Sequence, residues 1–281
     1  MKPFRFLEMR ASRCYNLKMW KYAKLMSLGC GFLDNKPYSL SVVITAVNET
    51  KSLEESVNIL LETCDANILK EVIIVVSKNA SEECLKTIEN LKRPTSNINI
   101  TSFVQKEPGL GRAIHEAMRK ASGSHVVYLT ADGDTDPYLI ADMVRLSKEK
   151  PRAIVLASRW AKGGGFEGYG FINKWLNRTF NLMVQVVYIT RLSDLTYAYR
   201  LAPTDLSLSV KWDSPSSSVG LETNLRMLRL GYEFIELPAV WKVRKEGKSS
   251  NSFFNKLGYL KYVFLIRFSS AKSNLSPNES E

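Results

Sequence analysis

Cysteine and histidine are scarce in this chain, which has four Cys and two His in 281 residues. Cys14, Cys30, Cys64 and Cys84 stand far apart with no C-x-x-C pair, and only His115 and His125 are there to join them. That spacing argues against a zinc site and against a disulfide scaffold, and it fits a reducing cytoplasm. Long apolar runs are missing too. The longest charge-free candidate, residues 179–190, lies between Arg178 and Arg191. It falls short of the roughly 20 residues that span a bilayer. Glycine (15) and proline (10) are too few for a fibrous or low-complexity chain, and an apolar fraction of 45% is too high for disorder. What remains is a globular chain, long enough for one large domain.

The net charge of +11 hints at nucleic acid until it is located. Residues 1–38 hold eight basic and two acidic side chains, residues 239–281 hold eight and three, and the body between them is balanced. A neutral body with no recognition motif argues against a nucleic-acid partner. The basic flanks point instead to phosphate and an anionic membrane surface. Within residues 1–24 the charges alternate with Phe4, Phe6, Leu7, Met9, Leu17, Met19 and Trp20. This pattern suits an interfacial helix or a weakly ordered extension, and it lacks the apolar run of a secretory signal.

From residue 40, short β-branched runs alternate with helical stretches. Residues 41–46, 71–76, 97–102, 125–130 and 153–157 read as strands, and 53–62, 82–91, 110–121 and 137–148 as helices between them. Strands apolar on both faces and joined by helices imply a buried, mostly parallel, doubly wound α/β sheet flanked by helices. Ligands bind beyond the carboxyl ends of such strands. After the Lys162-Gly-Gly-Gly165 loop comes a long helix, 171–188, and then two strand-like pieces, 233–237 and 239–243. No linker separates the halves, so one domain is expected over residues 39–250. Before it lies the basic extension 1–38, and after it an amphipathic segment and a disordered tail, 251–281.

The strongest chemical signal is Thr130-Ala-Asp-Gly-Asp-Thr-Asp-Pro137, directly after an apolar strand. Asp132 and Asp134 straddle a glycine at the sheet's carboxyl edge, where paired carboxylates can hold Mg²⁺ or Mn²⁺ and so neutralise a diphosphate. The plainer reading is a turn in which Asp136 caps the next helix.

Five motifs occur together in one order: Leu40-Ser-Val-Val-Ile-Thr-Ala-Val-Asn-Glu-Thr50, Pro108-Gly-Leu-Gly-Arg-Ala113, the acidic turn, Ala157-Ser-Arg-Trp160 and Asp194-Leu-Thr-Tyr-Ala-Tyr-Arg200. In that order the chain resembles family-2 glycosyltransferases of the GT-A fold, and most of all the polyprenyl-phosphate sugar synthases of the dolichol-phosphate mannose synthase type. The resemblance runs from about residue 40 to 250.

The resemblance implies roles position by position. Asn48 and Glu49 match the segment that packs against the nucleotide, without its proline and tyrosine. The turn that contacts the base is Ser77-Lys-Asn-Ala80 here, with both family acids gone. Gly109 and Gly111 match a loop beside the nucleotide, where small residues allow close approach. Asp132 and Asp134 fall in the metal and diphosphate motif, with Thr130 where the family has a further acid. Arg159 matches an arginine near the donor and acceptor phosphates. Asn173 and Asn177 stand where lipid-phosphate-binding synthases place an arginine and a serine. With Asn181 they form a stripe on a helix otherwise apolar through Trp175, Leu176, Phe180 and Met183, and a solvent-facing edge is the alternative. Asp194 and Arg200 match the Asp-x-x-x-Gly-x-Arg segment, with Ala198 for glycine. Glu222 matches a recurrent acid. Glu222 or Asp194 is the candidate general base for an alcohol acceptor, whereas an ionised phosphate needs none. Arg244, Lys248 and Ser249 belong to a cationic loop that folds over a diphosphate.

The resemblance therefore implies a metal-dependent inverting glycosyltransferase, moving a hexose from a nucleoside diphosphate sugar to a polyprenyl phosphate. Asp132, Asp134, Glu222 and Arg244 would be catalytic. A saccharide or lipid-linked glycan acceptor is the alternative, and a catalytically weak nucleotide-sugar-binding protein is another. The chain is expected to be cytoplasmic, with peripheral contact to an anionic membrane. Residues 257–267 serve as an interfacial anchor or as an ordinary packing helix.

Overall fold

The computed structural model describes residues 37–92, 98–246 and 253–277, with side chains of the last segment from residue 258. The expectations for residues 1–36, for Lys248 and Ser249 and for the last four residues lie outside these. Strands β1 (Leu40–Ala46), β2 (Leu69–Val76), β3 (Asn99–Val104), β4 (His125–Thr130), β5 (Ile154–Ser158), β7 (Arg200–Pro203) and β8 (Phe234–Pro238) form one sheet in the order β3-β2-β1-β4-β7-β5-β8. All neighbouring pairs are parallel except those of β7, which runs antiparallel between β4 and β5. Parallel pairing is what the two-sided apolar runs foretold. β7 is too short to announce itself by periodicity.

Alternate residues of the strands bury on opposite faces. Val42, Ile44, Ile74, Val127 and Leu129 pack against helices α1 (Lys51–Thr63), α2 (Glu82–Leu91) and α4 (Leu139–Glu149). Val43, Ile73, Val75, Val126 and Tyr128 pack against α3 (Leu110–Lys120) and the start of α7 (Val219–Arg229). Each fully buried branched side chain contributes about 1.5–3 kcal/mol, so the register of both faces is strongly specified.

The second half closes around the sheet's far end. Helix α5 (Phe171–Tyr188), helix α7 and helix α8 (Phe253–Phe268) share a core of Val184, Leu221, Leu225, Val263 and Ile266. A short helix, α6 (Thr204–Ser209), follows β7. A small parallel pair, β6 (Gly165–Glu167) with β9 (Val240–Lys242), brings the glycine loop and the segment after residue 239 together. Helix α8 thus buries one face, while Phe264, Leu265 and Phe268 on its other side stay exposed. No helix among the described residues is long and apolar enough to cross a membrane.

Disorder was expected after Ser269, yet residues 269–277 are pinned to the domain. Leu275 bridges Val210, and fully buried Asn274 accepts from Arg226 Nη1 at 3.0 Å through its side chain and from Lys211 N at 3.0 Å through its carbonyl. The buried Arg226 guanidinium needs acceptors, and this polar segment supplies one.

Candidate active site at the carboxyl edge of the sheet

Strand β4 ends at Thr130, and the chain turns at Gly133, whose φ of +78° suits glycine. The turn puts Asp132 and Asp134 side by side, both largely buried. Asp134 N donates to Asp132 Oδ1 at 3.2 Å, and the Thr130 hydroxyl donates to Asp134 Oδ1 at 2.5 Å. Both Oδ2 atoms face one cation, the Arg244 guanidinium, whose Nε lies 2.9 Å from Asp132 and 3.8 Å from Asp134. Burial, helped by the charge of Asp134, pushes the Asp132 carboxyl up to about 6, with Arg244 pulling the other way.

This donor set suits a hard divalent cation. Two carboxylate oxygens converge on a position that carries positive charge, that of the Arg244 guanidinium. Mg²⁺ is commonly held by one or two carboxylates, with substrate phosphates and water completing its shell. Among the described residues no group of three or more His, Cys, Asp and Glu converges. Asp132 and Asp134 are thus the pair that could hold a cation, with substrate phosphates and water able to fill the other positions.

A second ionic group stands beside the first. Arg159 reaches Asp194 through Nε at 2.6 Å and Nη2 at 2.9 Å, and Nη2 also donates to Thr196 Oγ1 at 2.7 Å. Asp194 is fully buried; burial opposes its charge, but Arg159 outweighs that and holds the carboxyl below its usual range. Glu236 fixes the Asp194 segment by accepting from Ser193 N at 2.7 Å and Asp194 N at 3.2 Å. Tyr197 joins the two groups: its ring lies 4.6 Å from the Arg159 guanidinium carbon, and its hydroxyl donates to the Asp134 carbonyl at 3.4 Å. Burial raises that phenol well above its ordinary value, so it stays a donor.

Rings line the space between. Trp160, Phe166, Tyr169 and Trp241 follow one another at 4.9–5.0 Å. Trp241 Nε1 donates to Asp134 Oδ2 at 3.3 Å. At the other end Arg178 lies over Trp160 at 5.0 Å and Lys174 over Phe166 at 5.7 Å.

The asparagine stripe faces inward. Asn181 is 1% exposed and its Oδ1 accepts from Leu195 N at 3.0 Å; half-buried Asn177 accepts from Trp160 Nε1 at 2.9 Å and donates to Thr196 Oγ1 at 3.3 Å. Asn173, one turn earlier, is exposed. Phe180, Met183 and Val184 of α5 also face the core, whereas Phe171 (82%), Trp175 (60%) and Val186 (78%) are exposed. The solvent-edge alternative is thereby corrected for Asn177 and Asn181, whose side chains bond to the Leu195 amide and the Thr196 hydroxyl, and it holds for Asn173.

Other expected residues stand apart from the carboxylates. Glu49 turns back on its own loop, accepting from Val47 N at 2.6 Å and from exposed Asn48 N at 3.0 Å. Gly109 and Gly111 are needed for packing: a Cβ would meet Pro215 O at 2.4 Å and Ser214 O at 1.9 Å. Arg200 is buried on β7, donating to Asn224 Oδ1 at 3.1 Å and Thr223 Oγ1 at 2.8 Å, and desolvation lowers its pKa to about 10. Glu222, a candidate base for an alcohol acceptor, is enclosed by the protein. Its carboxylate is fully buried and accepts from Asp213 N at 2.9 Å, Ser214 N at 2.7 Å and Arg226 Nε at 3.0 Å, so it anchors a loop.

Sequence reasoning missed Thr196, Tyr197, Glu236, Trp241 and Glu246. Only Glu246 carried a signal, as the one acid in an otherwise cationic loop. Its carboxylate docks on the N-terminal turn of α1, accepting from Thr50 N at 2.7 Å and Ser52 Oγ at 2.8 Å.

Known proteins resemble this chain in sequence and in fold. A dolichol-phosphate mannosyltransferase of Pyrococcus furiosus is 24% identical over 237 residues, 81% of this chain and 63% of that protein's length. Among solved structures, the glucosyl-3-phosphoglycerate synthase of Mycobacterium tuberculosis with Mn²⁺, uridine diphosphate and phosphoglyceric acid superposes with a TM-score of 0.60 at 17% identity, covering 83% of this chain and 80% of that one. The same synthase with Mg²⁺ and uridine diphosphate gives 0.58 at 18% identity, with 88% and 83% covered. They share the GT-A fold: a mostly parallel sheet with helices on both faces. The pattern of glycosyl transferase family 2 matches residues 41–204, which run from β1 through the acidic turn and the Arg159–Asp194 pair into α6, and the chain belongs to that family.

Proposed function

We propose that this protein is a metal-dependent, inverting glycosyltransferase that moves a hexose from a nucleoside diphosphate sugar to a polyprenyl phosphate at a membrane surface. The observation that carries the reading is the convergence of Asp132 Oδ2 and Asp134 Oδ2 on the Arg244 guanidinium. Mg²⁺ or Mn²⁺ held by these carboxylates would neutralise the leaving diphosphate. Arg244 would turn from the carboxylates to the phosphates, where negative charge grows in the transition state. Arg159, fixed by Asp194 and Thr196, presents a second cation beside the site. The neighbours crystallised with uridine diphosphate and Mn²⁺ or Mg²⁺ support a nucleotide-sugar donor.

The state of the carboxylates supports a phosphate acceptor. Glu222 and Asp194 are both locked in buried ion pairs, so neither is free to deprotonate an alcohol. An ionised phosphate needs no base. The relative from Pyrococcus furiosus, described as a dolichol-phosphate mannosyltransferase, supports the same choice. Membrane contact is supported by the apolar outer side of α5, through Phe171, Ile172 and Trp175, together with Phe264 and Phe268 of α8. Lys174 and Lys261 lie on the same helices. A glycan acceptor is the second reading, favoured by the row of rings from Trp160 to Trp241, which suits stacking against sugar.

The test is a donor screen for nucleoside diphosphate release, with wild type and Asp132→Ala, with and without chelator. Release should require the metal and Asp132. Release unchanged by chelation would sink the metal assignment. Comparing a short polyprenyl phosphate with the matching alcohol and with oligosaccharides separates the two acceptor readings.

A further inference from the structure

Three consecutive residues after β9 grip two separate parts of the protein, the acidic turn and helix α1. Arg244 lies on Asp132 and Asp134. Lys245 Nζ pairs with Glu55 on α1 at 2.7 Å, and its amide donates to the Asp132 carbonyl at 2.9 Å. Glu246 accepts from Thr50 N at 2.7 Å, Thr50 Oγ1 at 3.2 Å, Lys51 N at 3.3 Å, Ser52 N at 3.4 Å and Ser52 Oγ at 2.8 Å. Helix α1 has no cap of its own, because the Thr50 side chain makes no capping hydrogen bond. The free amides of its first turn are satisfied by a carboxylate almost two hundred residues away, at the end of the helix where negative charge is favoured.

This arrangement separates the backbone of the segment from the side chain that does the chemistry. The backbone is tied to the acidic turn through Lys245 N and to α1 through Glu246. Arg244, by contrast, is joined to the carboxylates only through its long, one-third exposed side chain. Its guanidinium can therefore leave them while its Cα stays in place.

We propose that Glu246 is a positioning residue: its hold on the first turn of α1 keeps Arg244 over the Asp132–Asp134 turn, so that the guanidinium passes from carboxylate to diphosphate without the segment moving away. The role in catalysis rests on the function proposed above, whereas the tether itself does not.

The experiment is limited trypsin digestion of the full chain, following cleavage after Arg244 and Lys245 by mass spectrometry, with the thermal midpoint measured in parallel. Loss of the charged contacts in Glu246→Ala should speed both cleavages about tenfold or more, each rate being divided by that of the matching unfolded peptide to remove the direct effect of the carboxylate on trypsin, with Glu246→Gln in between. Adding Ser52→Ala to Glu246→Ala should change the cleavage no further, because both act through one contact. In the nucleotide-release assay, kcat/KM for the donor should fall about tenfold in Glu246→Ala and recover in part in Glu246→Gln. Cleavage at the wild-type rate in Glu246→Ala would overturn the tether. Faster cleavage with an unchanged kcat/KM would overturn the positioning role. If the wild type releases no nucleoside diphosphate from any donor, the proposed function fails, and the cleavage rates still decide the tether.

Discussion

The Thr130 hydroxyl donates to Asp134 Oδ1 and also meets Thr135 Oγ1 at 2.7 Å. It stands where the resembling synthases have an acid, so the turn has two carboxylates, which Arg244 and neutral donors satisfy. Replacing Thr130 by Val leaves a nearly buried carboxylate oxygen without its donor, an expected loss of about 1–3 kcal/mol in urea unfolding. Thr130→Asp should lower the thermal midpoint in chelator and regain it in Mn²⁺, since a third carboxylate repels its neighbours until a cation joins them.

Stability should depend on pH through Asp132. Its folded pKa of about 6 lies above the ordinary carboxylate value of about 3.9. Its favourable contribution is therefore complete below about pH 4 and lost as pH rises through 6, a change on the order of 2–3 kcal/mol. Asp132→Asn should unfold at higher urea than wild type at pH 8, and the two should converge near pH 4. A variant no more stable at pH 8 would contradict the burial argument.

Breaking the buried pair should be expensive. Asp194→Ala leaves Arg159 without its counter-charge and should lose about 3–5 kcal/mol in denaturant unfolding. A loss under about 1 kcal/mol, the level of an exposed pair, would mean that water reaches the pair.

Glu222→Gln separates anchoring from catalysis. The variant should be less stable by about 1–3 kcal/mol because Arg226 loses its buried partner, while nucleotide release by the folded protein stays within about threefold of wild type. A general base supplies about 10²–10⁴-fold. A loss of that size at unchanged stability would restore Glu222 to the chemistry.

Much of this was legible. Val42 to Ile44 and Ile73 to Val75 announced a parallel sheet because both faces are apolar, and the Asp-Gly-Asp turn at the end of β4 marked the candidate site. The failures have physical causes. β7 is four residues long and takes its place from its neighbours. Glu222 and Asp194 look alike in sequence to a base, and only packing reveals the arginines that claim them. Glu246 acts across 194 to 196 residues of chain, beyond the reach of any local pattern. Gly109 and Gly111 were noticed for a nucleotide, yet what demands them is the carbonyls of residues 214 and 215.

Helix α5 carries a consequence of its own. A surface helix is ordinarily turned into place by oil seeking shelter, yet here Trp175 and Val186 stay outside while Asn177 and Asn181 go in. Rolling the helix to hide the rings would strand the Leu195 amide and the Trp160 indole and pull Val184 out of the core, so its rotation is keyed by asparagines and apolar residues together. The outer residues are thereby released from any duty to the interior. The greasiness of this flank can be dialled up or down, ring by ring, with the frame beneath it undisturbed.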